Sequence, residues 1–194
     1  MTVSISIREA FGKELVRLGK KNKKIVAVSC DLKDACKLSF FFEKYPKRSF
    51  EVGIAEANAV GIAAGLSMSG FRPFLASFAS FITGKNVEIR TSISYNKCGV
   101  VIVGTHGGLI GPDGATQSSV QDVAVMRSLP YFEIIQPSSP LETKQITAYS
   151  ASSKKPTYLR IARNEVTEFL PKNYKFKIGY PSLIKKGKVN LVIS

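Results

Sequence analysis

Apolar positions along this chain alternate between a three- to four-residue period and short unbroken runs. After Ser6, the residues Ile7, Phe11, Leu15 and Leu18 share one face of a helix that starts at a serine N-cap and ends near Gly19. KIVAVSC (24–30) is a short β-branched run and predicts a buried strand. The stretch 31–47 is irregular, and RSFEV (48–52) predicts a second strand. A helix over about 55–69 ends at Gly70, a natural C-cap. RPFLASF (72–78) reads as a strand, 84–95 as a helix, and GVVIVGT (99–105) as the clearest parallel-type strand. HGGLIGPDGATQ (106–117) is a glycine-rich loop. A helix at 118–128, a strand at 131–136, a helix at 139–152 and a strand at 156–161 follow. From 166 the chain turns Lys/Pro/Gly-rich and reads as a linker, with KVNLVIS (188–194) as one more strand.

Strands apolar on both faces that alternate with helices predict an α/β fold, a mostly parallel sheet in a three-layer α/β/α sandwich. In such folds ligands meet the loops at the carboxyl ends of the strands. Glu56, His106 and Arg163 each lie just past a predicted strand, which places them at one end of the sheet. Glu56 stands out further as the lone charge in VGIAEANAVGIAAGLSMSGF (52–71). An ionised carboxylate in such surroundings is costly unless it is partnered or used. At a helix start the dipole favours its charged form while the apolar context favours the neutral one, a balance suited to proton exchange with a bound nitrogen base.

Composition narrows the picture. The 194 residues carry 28 Lys and Arg against 14 Asp and Glu, for a net charge of +14. The basic residues sit in KKNKK (20–24), KYPKR (44–48), KK (154–155) and KKGK (185–188), with no aromatic interleaving and no recognition helix. That pattern reads as solvated turns, or as a surface for an acidic protein partner, rather than as a nucleic-acid site. Three cysteines without CxxC spacing and a single histidine exclude a protein-built zinc site and fit a reducing compartment. No signal segment or membrane span is legible, so the cytoplasm is the expected compartment.

Single motifs are weak. GPDGATQ is neither GxxxxGK[ST] nor GxGxxG, and a tight turn presenting Asp113 is the sounder inference. His106, Phe78 and Phe81 each have an ordinary structural reading. Ala57, Gly61 and Gly65 recur on one helix face, where they fit either close packing on the protein's own sheet or a subunit interface.

Taken in order, the blocks FEVGIAEANAVGIAAGLSMSGFRPFLASFASF, GTHGGLIGPDGATQSSVQDVAVMRSLPYFEIIQPSSPLET and PTYLRIAR resemble the pyrimidine-binding domain of transketolases. The resemblance runs from SIREAFGKEL (6–15) to about residue 193 and is nearest to the C-terminal subunit of split, two-chain transketolases. It implies that Glu56 contacts the aminopyrimidine of thiamine diphosphate and, through its tautomer, promotes loss of the thiazolium proton. It places the pyrimidine's aromatic pocket on Phe78 and Phe81, with Gly84 where single-chain transketolases have a further aromatic. It assigns donor-sugar and phosphate contacts to Arg8, His106, Asp113 and Arg163. The family's DGxTHQ reads DGATQS here, so Gln117 stands where a histidine touches the sugar. Glutamine can hydrogen-bond a hydroxyl but cannot carry a proton.

The family's diphosphate- and metal-binding GDG…N motif is not in this sequence. The resemblance therefore implies a partner, an N-terminal transketolase subunit carrying that motif and holding Mg or Ca, with the cofactor between the two chains and sugar phosphates as substrates. It implies a homo-oligomer when the chain is isolated. The expected division is a pyrimidine-binding domain over 1–165, with 166–194 a linker and the start of a C-terminal domain. Other readings on the same fold are a 2-oxo acid dehydrogenase beta subunit, a deoxyxylulose phosphate synthase, and a non-catalytic subunit.

Overall fold

The computed structural model describes residues 4–110, 113–180, 183–184 and 186–187. β1 (Ser4–Ser6) leads directly into α1 (Ile7–Lys21), where the Ser6 hydroxyl caps the Glu9 amide at 3.4 Å. Ile7, Phe11 and Leu15 form the buried stripe that the periodicity predicts. β2 (Ile25–Ser29) is buried throughout. α2 (Ser39–Lys44) falls in the stretch that reads as irregular, and it packs against α1 so closely that a Cβ on Gly19 would lie 2.6 Å from the Phe41 ring. After a 3₁₀ turn (Pro46–Arg48) come β3 (Ser49–Glu51), α3 (Glu56–Met68) and β4 (Arg72–Phe78).

The predicted 84–95 helix is broken into parts. α4 (Ala79–Thr83) follows β4 at once, and α5 (Asn86–Glu88) runs into a π-helical segment, Ile89–Ser94. β5 (Val101–Thr105), α6 (Asp122–Arg127), β6 (Glu133–Ile135), α7 (Pro140–Ser152), β7 (Thr157–Ile161) and β8 (Glu165–Thr167) complete the order. α6 starts four residues later than the sequence suggests, because Ser119 is tied back to Gly107 and Gly108.

Six strands form one parallel sheet in the order β3-β2-β4-β5-β7-β6. Alternation along the strands feeds two cores. Phe74, Val101, Val103 and Leu159 meet α1, α2 and α7 on one face through Phe11, Leu15, Phe41 and Ile146. Leu75, Ile102 and Tyr158 meet Ala59, Val60, Ala63, Ile82 and Met126 on the other. The result is the expected three-layer α/β/α sandwich. Tying the layers at the amino end of the sheet, Arg72 is buried and donates to the Ser150 and Lys155 carbonyls.

β8 pairs antiparallel with β1, Ser4 opposite Thr167, so the folded unit runs through Thr167. Beyond it the chain lies along α7. Glu168 accepts from the Leu141 amide at 2.7 Å, Gln145 clasps the backbone of Tyr174 and Phe176, and the Tyr174 hydroxyl donates to Glu142 at 2.6 Å. The strand expected at 188–194 lies outside the described residues. Among the described residues, no helix is long and apolar enough to cross a membrane.

Candidate functional site

Glu56 opens α3, and nothing but its own carboxylate supplies negative charge in that first turn. It is 7% exposed, and its Oε1 accepts a 3.0 Å hydrogen bond from the hydroxyl of Ser77, next to last in β4. Oε2 has no hydrogen bond among the described residues. The charge is felt nearby: burial first, then Glu56 and Glu51, push the Cys30 thiol up to about 12.

β4 ends at Phe78, whose ring stacks on Phe81 of α4 at 5.4 Å between centroids and 20° between planes. Phe78 also meets the His106 imidazole, at 3.9 Å between centroids. Glu56, the two phenylalanines and His106 thus come together at the carboxyl ends of β4 and β5. Gly84 is exposed, and a Cβ there would meet only the Phe81 and Ser80 carbonyls, at 3.3 and 3.5 Å, so that side of the aromatic pair is open.

His106 follows β5 with a positive φ of 58° and is 2% exposed. Its Nε2 lies 3.3 Å from Arg8 Nη1 and its Nδ1 3.0 Å from Thr105 Oγ1. A guanidinium can only donate, so Nε2 accepts and the ring proton sits on Nδ1, donated to Thr105. Burial above all, and then the positive charge of Arg8, lower the His106 pKa to about 4, with Asp113 opposing. The imidazole is neutral at pH 7. Thr105 is itself held by Cys36 Sγ at 3.2 Å and by the Ser77 carbonyl at 3.4 Å.

Arg8, in the first turn of α1, also donates to the Ala35 carbonyl at 3.0 Å and to the Arg163 carbonyl at 3.4 Å. Its Nε is buried and unpartnered among the described residues. Arg163 pairs with Asp113 at 3.0 Å and donates to the Ile110 carbonyl at 3.3 Å. Two guanidiniums therefore face one carboxylate, and burial together with Arg163 depresses the Arg8 pKa. Such a cluster has room for one more anion. Gln117 is half-buried; its carbonyl accepts from the Ser80 hydroxyl at 3.1 Å, and its Oε1 accepts from Thr116.

The eight site residues singled out in the sequence thus lie at the carboxyl end of the sheet, Phe78 closing β4, Phe81 within α4 and the others on loops and helix starts. Sequence reasoning missed Ser77 and Thr105, although each is a polar residue at the carboxyl end of a buried strand, Ser77 next to last in β4 and Thr105 last in β5. It also missed Asp122 and Arg160, which pair at 2.7 Å behind the glycine-rich loop. Among the described residues, no group of three His, Cys, Asp or Glu side chains is arranged to hold a metal ion.

Comparison with known proteins places this geometry. The chain is 35% identical over 193 residues to a protein of Methanocaldococcus jannaschii named as a transketolase C-terminal section, covering 97% of the chain and 61% of that protein. It is 31% identical over 182 residues to the 1-deoxy-D-xylulose-5-phosphate synthase of Clostridium acetobutylicum, covering 93% of the chain and 29% of the enzyme. A solved structure described as a split gene transketolase, inactive β4 tetramer, superimposes with a TM-score of 0.85 at 39% identity, over 95% of this chain and 60% of that one. The chain thus spans about three fifths of the first relative's length, or less of the synthase's. The family model for the transketolase pyrimidine-binding domain matches residues 3–168, and the chain belongs to that family.

Proposed function

We propose that this chain is the pyrimidine-binding half of a two-chain transketolase, moving a two-carbon ketol unit between sugar phosphates. The observation that carries the reading is the buried Glu56 carboxylate, with one oxygen held by Ser77 and the other unengaged, beside the stacked Phe78 and Phe81. A flat apolar wall next to a carboxylate at a helix start fits a protonatable aromatic nitrogen heterocycle, which is what the pyrimidine of thiamine diphosphate offers. When bound, that cofactor supplies the nucleophilic carbon that the protein side chains lack.

The chain's own residues divide the remaining tasks. Glu56 Oε2 is the proton-sharing atom, and Ser77 fixes the carboxylate so that Oε2 rather than Oε1 faces the ring. Phe78 and Phe81 orient the ring and keep water from the carboxylate. Arg8 and Arg163 bind the donor's phosphate, for which the orphaned Arg8 Nε is a ready donor. His106 Nε2 accepts from a sugar hydroxyl once the phosphate draws Arg8 away, and Asp113 keeps Arg163 in place. Gln117 contacts a hydroxyl near the reacting carbon without exchanging a proton.

The GDG…N motif, and the Mg or Ca it holds, come from an N-terminal partner subunit. That subunit docks on the outer face of α3, where Ala57, Gly61 and Gly65 are exposed and nothing lies within 4 Å of a Cβ on either glycine. Without its partner the chain self-associates.

The test is reconstitution with an N-terminal transketolase subunit that carries the GDG…N motif. Glu56→Gln in the assembled enzyme keeps fold and cofactor binding, while thiazolium proton exchange followed by NMR slows by about 10²–10⁴-fold. Unchanged exchange in a folded, cofactor-loaded variant removes Glu56 from the mechanism. A second reading, a deoxyketose phosphate synthase, has the 31% identity to the Clostridium enzyme in its favour. A product ending in a methyl rather than a hydroxymethyl group would select it.

A further inference from the structure

Behind the glycine-rich loop lies a charge pair to which the proposed chemistry gives no task. Asp122, the first residue of α6, is fully buried. Arg160 of β7 grips it side-on, Nε to Oδ2 at 2.7 Å and Nη2 to Oδ1 at 3.2 Å, and the Tyr158 hydroxyl adds a third donor at 2.8 Å. The Arg160 side chain is only 14% exposed. Buried ion pairs are poor sources of stability, since apolar side chains of similar size serve as well or better. What such a pair supplies is a fixed geometry, and here that geometry converges on one loop.

The same guanidinium meets both ends of residues 106–119, through its Nε and Cζ at one end and its Nη2 at the other. At the entrance, a Cβ on Gly107 would lie 2.7 Å from Arg160 Nε, so only glycine lets the chain pass over the guanidinium. At the exit, Arg160 Nη2 donates to the Ser119 carbonyl at 3.3 Å. Between the two, the Gly108 amide donates to Ser119 at 2.7 Å and the Ser119 amide returns to Gly108 at 3.3 Å, pinning the ends together. Arg160 Nη1 anchors the assembly to Gln136 at 2.8 Å. His106, two residues before the pin, holds a positive φ that costs a non-glycine residue about 1 kcal/mol or more unless its surroundings fix it.

We propose that Asp122 and Arg160 are positioning residues for the donor side of the site. Their pairing sets the backbone where the loop enters and leaves, at Gly107, Gly108 and Ser119, and through it the placement of His106, Asp113 and Gln117. What the loop touches rests on the transketolase reading above; the strut itself does not. Glu56 and Ser77, which hold the proton-sharing carboxylate, stand on other elements, so proton exchange on the cofactor side is expected to be independent of it.

Two variants test this. Asp122→Leu with Arg160→Met replaces the pair by apolar volume, and Arg160→Lys keeps the charge but loses the side-on grip. If the double variant does not fold, Arg160→Lys carries the test. Hydrogen exchange on the purified chain should show loss of protection at Gly108 and Ser119, with amides of α1 and α3 unmoved. In the reconstituted enzyme the KM for a ketose phosphate should rise by up to about 100-fold, the scale of an ångström-sized misplacement. Thiazolium proton exchange should stay at the wild-type rate. Unchanged loop protection, or protection lost uniformly along the chain, overturns the strut. Local loss of protection with an unchanged KM overturns its role toward the donor. A wild-type assembly without ketol transfer would instead sink the transketolase reading, and hydrogen exchange would still decide the strut.

Discussion

The hydroxyl of Ser77 donates to Glu56 across 3.0 Å, joining the end of β4 to the first residue of α3 with both side chains buried. Ser77→Ala takes the donor from a buried carboxylate and leaves it under-satisfied. Such losses cost about 1–3 kcal/mol. Ser77→Thr restores the hydroxyl and should recover most of the loss. Urea denaturation of the three proteins measures it; equal midpoints for Ala and wild type would mean that water replaces the hydroxyl at no cost.

His106 makes stability depend on pH in a defined window. Its folded pKa of about 4 lies below the ordinary 6.5, so between these values the unfolded chain binds the extra proton. Stability from this residue is therefore complete above pH 6.5 and is lost as the pH falls towards 4. The span corresponds to about 3 kcal/mol at most. His106→Asn, which cannot take the proton, should flatten the difference between melting curves at pH 7 and pH 4.5. An identical slope in both proteins would show that carboxylates alone carry the acid sensitivity.

Much of this was legible beforehand, for reasons specific to each residue. Glu56 could be found because one charge in an apolar run is conspicuous and the helix period put it at the start of α3. Ser77 and Thr105 could not, since a serine or threonine in a strand is commonplace and their partners come from 21 and 28 or more residues away. The His106 tautomer depends on Arg8, 98 residues distant, which no local pattern reveals. β1 and β8 are three residues each and exist only as a pair across almost the whole folded unit. SFFFEK, the whole of α2, is too short to show a helical period. The small-residue face of α3 had two readings of equal standing, and packing on the protein's own sheet is now excluded: Ala59, Val60, Ala63 and Ala64 face inward, and the glycines face out.

Gly104 tests the packing behind the site. It lies mid-sheet in β5, where a Cβ would fall 2.3 Å from the Tyr158 hydroxyl that serves Asp122. Gly104→Ala must displace a buried tyrosine or the strand itself, which predicts a loss of about 1–3 kcal/mol or more. Gly104→Ala with Tyr158→Phe relieves the closest contact and should be less destabilised than the sum of the single changes. Simple additivity in thermal melts would place the strain elsewhere.

The outward glycines of α3 predict effects of opposite sign in the two states of the chain. Gly61 and Gly65 occupy the middle of a thirteen-residue helix, with nothing within 4 Å of where a Cβ would sit. Glycine there costs about 1 kcal/mol relative to alanine, a cost the isolated chain carries for no contact of its own. Gly61→Ala with Gly65→Ala should therefore raise the melting temperature of the unassembled chain. A helix apolar on both its faces is one that expects to be covered, and small residues allow the covering backbone to come close. In the assembly the two added methyl groups stand in that gap, so association with the N-terminal subunit should weaken while the isolated chain gains stability. The net charge of +14 adds a steering component that salt reduces, and it should be the same for variant and wild type. Sedimentation of the mixed subunits at two ionic strengths, beside melting curves of the single chain, separates these contributions. A variant that melts higher and still associates with wild-type affinity would move the docking surface off α3.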